Sequence, residues 1–353
     1  MLEKLNRIPK QSKKILLVEY IKKLIDKRTN LPISSNEYWS KGTKNGYENL
    51  INHIEKYEER KKLNISLDTM TEELYWDYFK TINDIHKEEN GTPYIRTTIA
   101  KDCKNLKVIF NCAVEDDIEV GFNFSKKGLK IHLSKPMYET YLTNEQLKKI
   151  INADVSHSAE LQRAKDYIII SSFTGGLRIG DMKHLHELKV EVIEFEGKHY
   201  NTVTTKIRKS KENQDELIVT IPILKPANDI LKKYQNKFPK LTSDTNVRKC
   251  VTKLLKHLKF ENEVLVSYDY YLSDKVIYKK KKQHSVFSPH DCRRTYITNL
   301  KQLGIQNDTI EPITHPKMNY KSVLDSYDKS TLKDKAIKLI KAIESSNSKL
   351  YKI

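Results

Sequence analysis

The feature that most constrains this chain is a change of hydrophobic rhythm after its first third. From about Gly46 to Asp117, apolar residues recur every three or four positions, the period of a helix with one buried face. Tyr47, Leu50, Ile51, Ile54 and Tyr57 form one stripe. Leu74, Tyr75, Tyr78, Phe79, Ile82 and Ile85 form a second, opened by Asp68-Thr69-Met70-Thr71, whose side-chain oxygens suit the free N–H groups of a helix start. A third stripe (Ile95, Ile99, Cys103, Leu106, Phe110, Ala113) is predicted to open at Thr92-Pro93, a capping residue followed by proline at the first helical position. Arg96, Lys101, Lys104 and Lys107 lie mostly off that stripe and give the helical domain a basic exterior. A solvated face is the plainer reading of these four, and a contact with nucleic acid the sharper one.

Beyond residue 120 the helical period fades. Residues 121–140 read as a linker, with Gly121, Ser125-Lys126-Lys127-Gly128 and Ser134-Lys135-Pro136. A second domain, 141–353, opens at Tyr141-Leu142-Thr143-Asn144-Glu145-Gln146-Leu147, where Thr143 and Gln146 have the spacing of a capping box. Leu161 to Phe173 predicts an apolar helix stopped by Thr174-Gly175-Gly176. Strand-like runs follow at 189–194, 200–207 and 216–223, the last two flanking a polar hairpin segment. Helices are expected from about Pro226 intermittently to the end, with Lys279 to Lys282 as a solvated basic loop. The organisation is therefore a basic segment (1–35), a helical domain (36–120), a linker and a mixed domain, mainly α with a small β-sheet. For the first thirty residues, with nine Lys and Arg against three acids, a surface helix and a basic arm are equally open.

Lys and Arg number 64 against 46 Asp and Glu, a formal charge of +18. Such an excess favours a polyanionic partner, because each cation that neutralises a phosphate releases condensed counterions. Four scattered cysteines (Cys103, Cys112, Cys250, Cys292) show no C-x-x-C pair, so neither a disulfide framework nor a structural zinc site is expected. The basic start lacks a signal peptide's apolar stretch, and no apolar run approaches the ~20 residues that cross a bilayer. The expectation is a cytoplasmic protein without membrane contact.

No G-x-x-x-x-G-K-S/T loop, H-E-x-x-H or ligand-spaced carboxylate cluster occurs, so neither a nucleotide nor a metal is expected as cofactor. Cationic and imidazole residues instead occur in three local settings. In Ser171-Ser172-Phe173-Thr174-Gly175-Gly176-Leu177-Arg178-Ile179-Gly180-Asp181, Arg178 follows a tight turn at the end of an apolar helix. A half-buried guanidinium there needs an anion, either Asp181 or a bound phosphate. In Ser288-Pro289-His290-Asp291-Cys292-Arg293-Arg294, His290 and Arg293 are three apart on one face near a helix N-terminus, which favours phosphate. The third is Ile313-Thr314-His315-Pro316, followed by Tyr327. Singly each has a bland explanation; their order and separation are more specific.

In these residues the chain resembles the tyrosine recombinases, or phage-type integrases, over about residues 40–345. The family's signature of Thr-Gly-Leu-Arg, a hairpin lysine, His-x-x-Arg, Leu-Gly-His and a late tyrosine is similar to Thr174 to Arg178, Lys209, His290 to Arg293, Ile313 to His315, and Tyr327. The resemblance implies a SAM-like core-binding domain before a mixed α/β catalytic domain. Departures are the extra glycine in Gly175-Gly176, Arg294 where a second histidine is common, Thr314 before His315, and a His315-to-Tyr327 interval of twelve. Lys206 and Lys211 compete with Lys209, and Tyr320 is a rival for Tyr327.

The resemblance implies a site-specific recombinase that cuts and rejoins DNA without metal or ATP. Arg178 and Arg293 would clamp the phosphate, Tyr327 would attack it, and a 3′-phosphotyrosyl link would form. His290 would accept the phenol proton, Lys209 would protonate the leaving 5′ oxygen, and His315 would bond a non-bridging oxygen. Implied partners are double-stranded DNA, a homotetramer on paired sites formed from a free monomer or weak oligomer, and DNA-bending or directionality factors. The implied setting is a bacterial host cell, on the nucleoid when active, with a phage or other mobile element to integrate or excise. The C-terminal helix would dock on a neighbouring subunit rather than on its own domain. A type IB topoisomerase, a chromosome-dimer-resolving recombinase and a non-catalytic regulator of the same descent are the competing readings.

Overall fold

Four helices with one apolar face each build the first of two units: α1 (Leu17–Thr29), α2 (Lys41–Lys61), α3 (Glu72–Asn90) and α4 (Arg96–Glu115). This computed structural model describes residues 14–124, 127–133, 140–207, 217–316 and 329–353. Apart from Ile95, which is exposed, and Leu74, which is half-buried, the apolar stripes read from the sequence are the buried faces, and α2 packs against α1, α3 and α4. Tyr57, Tyr75, Tyr78, Phe79 and Phe110 are fully buried among them. The hydroxyls of Ser40 and Thr71 accept from the N–H groups of Thr43 and Leu74, so α2 and α3 start where a side chain can replace the missing backbone acceptor. In the described part of the basic start, α1 buries Leu17, Tyr20, Ile21, Leu24 and Ile25, as a packed surface helix does.

Two expectations change here. The helix predicted from Thr92-Pro93 begins only at Arg96, with no side-chain cap. Residues before it are extended because their backbone groups bond another segment: Ile95 bridges Tyr270 antiparallel, Tyr271 N donates to Tyr94 O at 2.8 Å, and Arg96 N to Asp269 O at 2.7 Å. The expected linker does not start at 121 either. Gly121 N donates to Leu67 O, Phe124 stacks on Phe110 at 3.6 Å, and Leu129 is buried in the same core. Aromatic and aliphatic side chains, more than backbone period, decide where a chain leaves its domain. The first unit thus comprises residues up to 137 together with 266–279, a stretch that chain order assigns to the second domain.

The second unit (138–265 and 280–353) is built on α6 (Ala159–Phe173). That helix is buried almost all round, which is why its apolar run showed no clean stripe. Before it, α5 (Asn144–Asn152) opens with the Thr143–Gln146 capping box. After it come α7 (Ile179–Met182) and a three-stranded antiparallel sheet, β1 (Glu191–Phe195), β2 (Lys198–Lys206) and β3 (Ile218–Pro222), in that order. The register sets Ile193 opposite Tyr200 and Val203 opposite Ile221. Helices α8 (Lys225–Lys233) and α9 (Asp244–His257) pack on α6.

Helices were then expected to continue, but two paired strands intervene, β4 (Glu263–Tyr268) and β5 (Ile277–Lys282). The basic run 279–282 is therefore strand, steadied by Lys280 against Glu263 at 2.7 Å and Lys282 against Glu261 at 3.3 Å. The remaining helices are α10 (Gln283–Val286), α11 (Pro289–Gln302), α12 (Asn307–Thr314) and α13 (Leu332–Ser345). Helix α13 buries Ala336, Leu339, Ile340 and Ile343 against β3 and α12 of its own unit, the plainer reading of its apolar stripe.

The break after α6 leaves no room for side chains at its two glycines. Gly175 and Gly176 both have left-handed φ, +66° and +59°. A Cβ on Gly176 would lie 2.8 Å from Arg293 Cα and 3.2 Å from Tyr296 Cβ. Gly180, four residues on, has open space around it and no such φ. Gly176→Ala should therefore cost about 2 kcal/mol or more in urea unfolding, whereas Gly180→Ala should change stability by less than about 1 kcal/mol. Equal effects of the two substitutions would refute this account of the double glycine.

Candidate active site

Arg178 and Arg293 reach one place by different routes. Arg178 is the residue at the N-cap of α7, thrown out of α6 by the left-handed Gly175-Gly176 turn and only partly buried. Arg293 stands on the first turn and a half of α11, and is 3 % exposed. Its Nη1 donates to Gly176 O at 3.2 Å. Its Nε and Nη2 are buried with no acceptor among the described residues. Burial and the nearby positive charge of Arg178 pull the Arg293 guanidinium down to about 10, with Asp181 opposing them. Two like charges are held together with donors unspent, and an oxyanion satisfies both conditions at once.

His290 shares that field. It lies one turn before Arg293 on α11, at the exposed rim. Partial burial pushes its imidazole below the ordinary 6.5; Asp291 pulls upward, but Arg293, Arg294 and Arg178 together push it down as well. The ring is thus neutral at pH 7 and able to accept a proton.

The reading of α11 as an anion-facing helix start misses one residue that organises it. Asp291 is fully buried. Its Oδ2 accepts from Ser288 N at 2.7 Å and from Ser288 Oγ at 2.9 Å, and Oδ1 takes Arg294 Nη1 at 2.6 Å. The Ser288-x-x-Asp291 spacing is a capping-box pattern that could have revealed it. Arg294, standing where a second histidine is common, also donates to Thr140 O at 3.4 Å. It is spent on holding the helix start.

His315 follows α12 as its C-cap, exposed, with Ile313 and Thr314 buried behind it. Thr314 Oγ1 donates to Ile310 O at 3.0 Å. Its lone pair is therefore what meets His315 Nδ1 at 3.1 Å, and Nδ1 carries the proton. Lys206 is exposed at the end of β2, paired in register with Ile218. Lys209, Lys211, Tyr320 and Tyr327 lie outside the described residues.

In the first unit, Lys101 and Lys104 are exposed on α4, and Lys107 is partly so. Arg96 differs from them: its Nε is 3.0 Å from Asp269 Oδ1, and its Nη2 donates to Ser273 O at 2.7 Å. Its charge is spent inside that unit. No group of three or more His, Cys, Asp or Glu side chains suited to a metal ion occurs among the described residues, and no helix there is long and apolar enough to cross a membrane. All four cysteines are free and buried.

Comparison with known proteins adds to this geometry. Residues 16–127 match the phage integrase SAM-like domain. Among solved structures, residues 82–397 of the Tn1549 transposon integrase, in complex with circular intermediate DNA, match at TM-score 0.52 with 18 % identity, over 91 % of this chain and 97 % of that one. A lambda integrase tetramer bound to a Holliday junction matches at 0.53 with 14 % identity, over 90 % and 82 %. The XerH recombinase bound to a palindromic difH substrate matches at 0.50 with 15 % identity, over 91 % and 90 %. The chain has the tyrosine-recombinase fold. No curated protein matches its sequence.

The electrostatic account of His290 can be checked directly. Arg294→Met removes one positive neighbour and releases the carboxylate of Asp291, and both changes raise the imidazole pKa. In an NMR titration of the full chain, His290 should titrate below 6.5 in the wild type and at a higher pH in the variant. An unchanged or lower midpoint would contradict the account.

Proposed function

We propose that this chain is a site-specific tyrosine recombinase that cuts and rejoins double-stranded DNA through a 3′-phosphotyrosyl intermediate, serving a phage or other mobile element. The observation that carries the reading is the buried Arg293, with two donors that find no acceptor among the described residues, beside Arg178 and His290. Support comes from the SAM-like domain at 16–127 and from the shared fold of integrases and a recombinase captured on DNA.

A DNA phosphodiester resists attack because its charge repels nucleophiles and its leaving alkoxide is poor. Arg178 and Arg293 offset the first difficulty by planar, permanently charged donors aimed at the non-bridging oxygens. The nucleophile is Tyr327, whose phenol oxygen forms the bond to phosphorus as the bond to the 5′ oxygen breaks. His290, neutral at pH 7, takes the phenol proton, and Lys209 gives one to the departing oxygen. His315, held by Thr314 through Nδ1, hydrogen-bonds a non-bridging phosphate oxygen. The phosphotyrosyl bond conserves the energy of the broken diester, so a 5′-hydroxyl from a second strand reseals the backbone with no ATP. Exchange between two duplexes calls for four copies of the chain. Lys101, Lys104 and Lys107 are the proposed backbone contacts of the helical unit, with Arg96 left to its internal ion pair.

The test is a nicked duplex carrying a binding sequence selected in vitro from random DNA, incubated with EDTA. A covalent protein–DNA adduct should accumulate. Tyr327→Phe should abolish it while DNA affinity stays within about threefold, and Arg293→Ala should slow it by about 10² to 10³. Adduct formation that survives Tyr327→Phe but not Tyr320→Phe would move the nucleophile; cleavage that depends on metal would end the proposal. Strand exchange between two duplexes, measured beside supercoil relaxation, separates a recombinase from a topoisomerase.

A further inference from the structure

Helix α11 has a second face that the proposed chemistry leaves unexplained. At 100° per residue, His290 and Arg293 point to one side, and Asp291, Thr295 and Asn299 to the other. All three of the latter are fully buried. Thr295 Oγ1 donates to Asp291 O at 2.7 Å and accepts from Leu142 N at 3.0 Å. Asn299 Nδ2 donates to Leu142 O at 3.1 Å and to Tyr351 Oη at 3.0 Å. Arg294, one residue before, bonds Thr140 O. The backbone of 140–142, where the chain enters the second unit, is therefore fastened to α11 by three consecutive side-chain bonds. On the remaining side, the Gly176 backbone is pressed against Arg293 Cα and Tyr296 Cβ.

We propose that Thr295 and Asn299 are positioning residues, which fix the rotation of α11 about its axis and so the placement of His290 and Arg293. The inference rests on the recombinase reading for its consequence in catalysis, though not for its geometry. Neither side chain touches the anion site. Their bonds satisfy both polar groups of Leu142, a fully buried residue, and those groups have no other partner among the described residues. Removing one of them frees the helix to turn by a fraction of a residue. A displacement of about 1 Å at a reacting group is enough to cost on the order of 10²-fold in rate.

The conservative test is Thr295→Val, which keeps the shape and removes the acceptor for Leu142 N; Thr295→Ser restores it. On the in vitro selected nicked duplex, Thr295→Val should lower the single-turnover rate of adduct formation by about tenfold or more, with DNA affinity unchanged and Thr295→Ser near wild type. In the same full-length variant, the NMR midpoint of His290 should shift, because its distances to Arg178 and Arg293 change. Asn299→Ala should act in the same direction on both readouts. If Thr295→Val merely unfolds at lower urea, while the folded protein cleaves at the wild-type rate with an unmoved His290 midpoint, these are ordinary core residues and the proposal fails. If the wild type forms no adduct, the recombinase reading falls first. The His290 midpoint then decides the positioning claim without reference to DNA.

Discussion

The second unit depends on one close approach of backbone to helix, Gly176 lying against Arg293 Cα. Only a residue without Cβ fits, and only a left-handed turn brings it there. The same approach gives Arg293 its one acceptor among the described residues, the Gly176 carbonyl. It also ejects the chain from α6 in the direction that sets Arg178 at the start of α7. A burial that would otherwise cost several kcal/mol for an unpaired guanidinium is thus built from main chain and not from a carboxylate ion pair. The extra glycine, a departure from the usual signature, is what lets two successive residues take positive φ.

The first unit solves a similar problem with side chains. Tyr94, on the extended stretch before α4, has its N–H on Asn83 Oδ1 and its hydroxyl on His53 Nε2, and His53 Nδ1 lies 2.6 Å from the buried carboxylate of Asp102. The His86 ring stacks on the Tyr94 ring at 3.7 Å. Helices α2, α3 and α4 each contribute one or more of these groups. They hold an extended edge where the backbone of 269–271 pairs with it, and Tyr271 enters the core. Arg96 belongs to this arrangement through Asp269 and Ser273. Its position off the apolar stripe suggested an outward charge, but a stripe distinguishes only core from not-core. It does not separate solvent from a segment arriving more than a hundred residues later.

That distinction sets what the sequence could reveal. The helical stripes were legible because each residue's burial follows from neighbours three and four away, and the Thr143–Gln146 box because capping is local. The order of Arg178, His290, Arg293 and His315 was legible because their chemistry is unusual and their local settings complete. The strands β4 and β5 were not, since β5 is exposed and lysine-rich and the pair owes its existence to cross-strand contacts. Asp291 was passed over because its pairing with Ser288 looks like any helix start. Only coordinates show that the same carboxylate also takes Arg294. The start of α4 was misplaced for the opposite reason: Thr92-Pro93 is a good local signal that a long-range bridge overrides.

The charge balance of the site argues for which species it fits best. A phosphodiester carries one negative charge, and a phosphorane-like transition state approaches two. Arg178 and Arg293 bring two positive charges, and burial, with their mutual repulsion, is what lowers Arg293 to about 10. That repulsion is relieved incompletely by a monoanion and more fully by a dianion, so stabilisation grows as the reaction proceeds. Favouring the transition state over the ground state is the condition for accelerating the step and not merely for binding DNA. Burial and the same field together hold the His290 imidazole below its ordinary value, which in the proposed mechanism leaves it able to accept a proton as the second charge develops at phosphorus. On the proposed mechanism, one cluster of guanidinium groups thereby favours the dianionic species and, with burial, the neutral form of the proposed base.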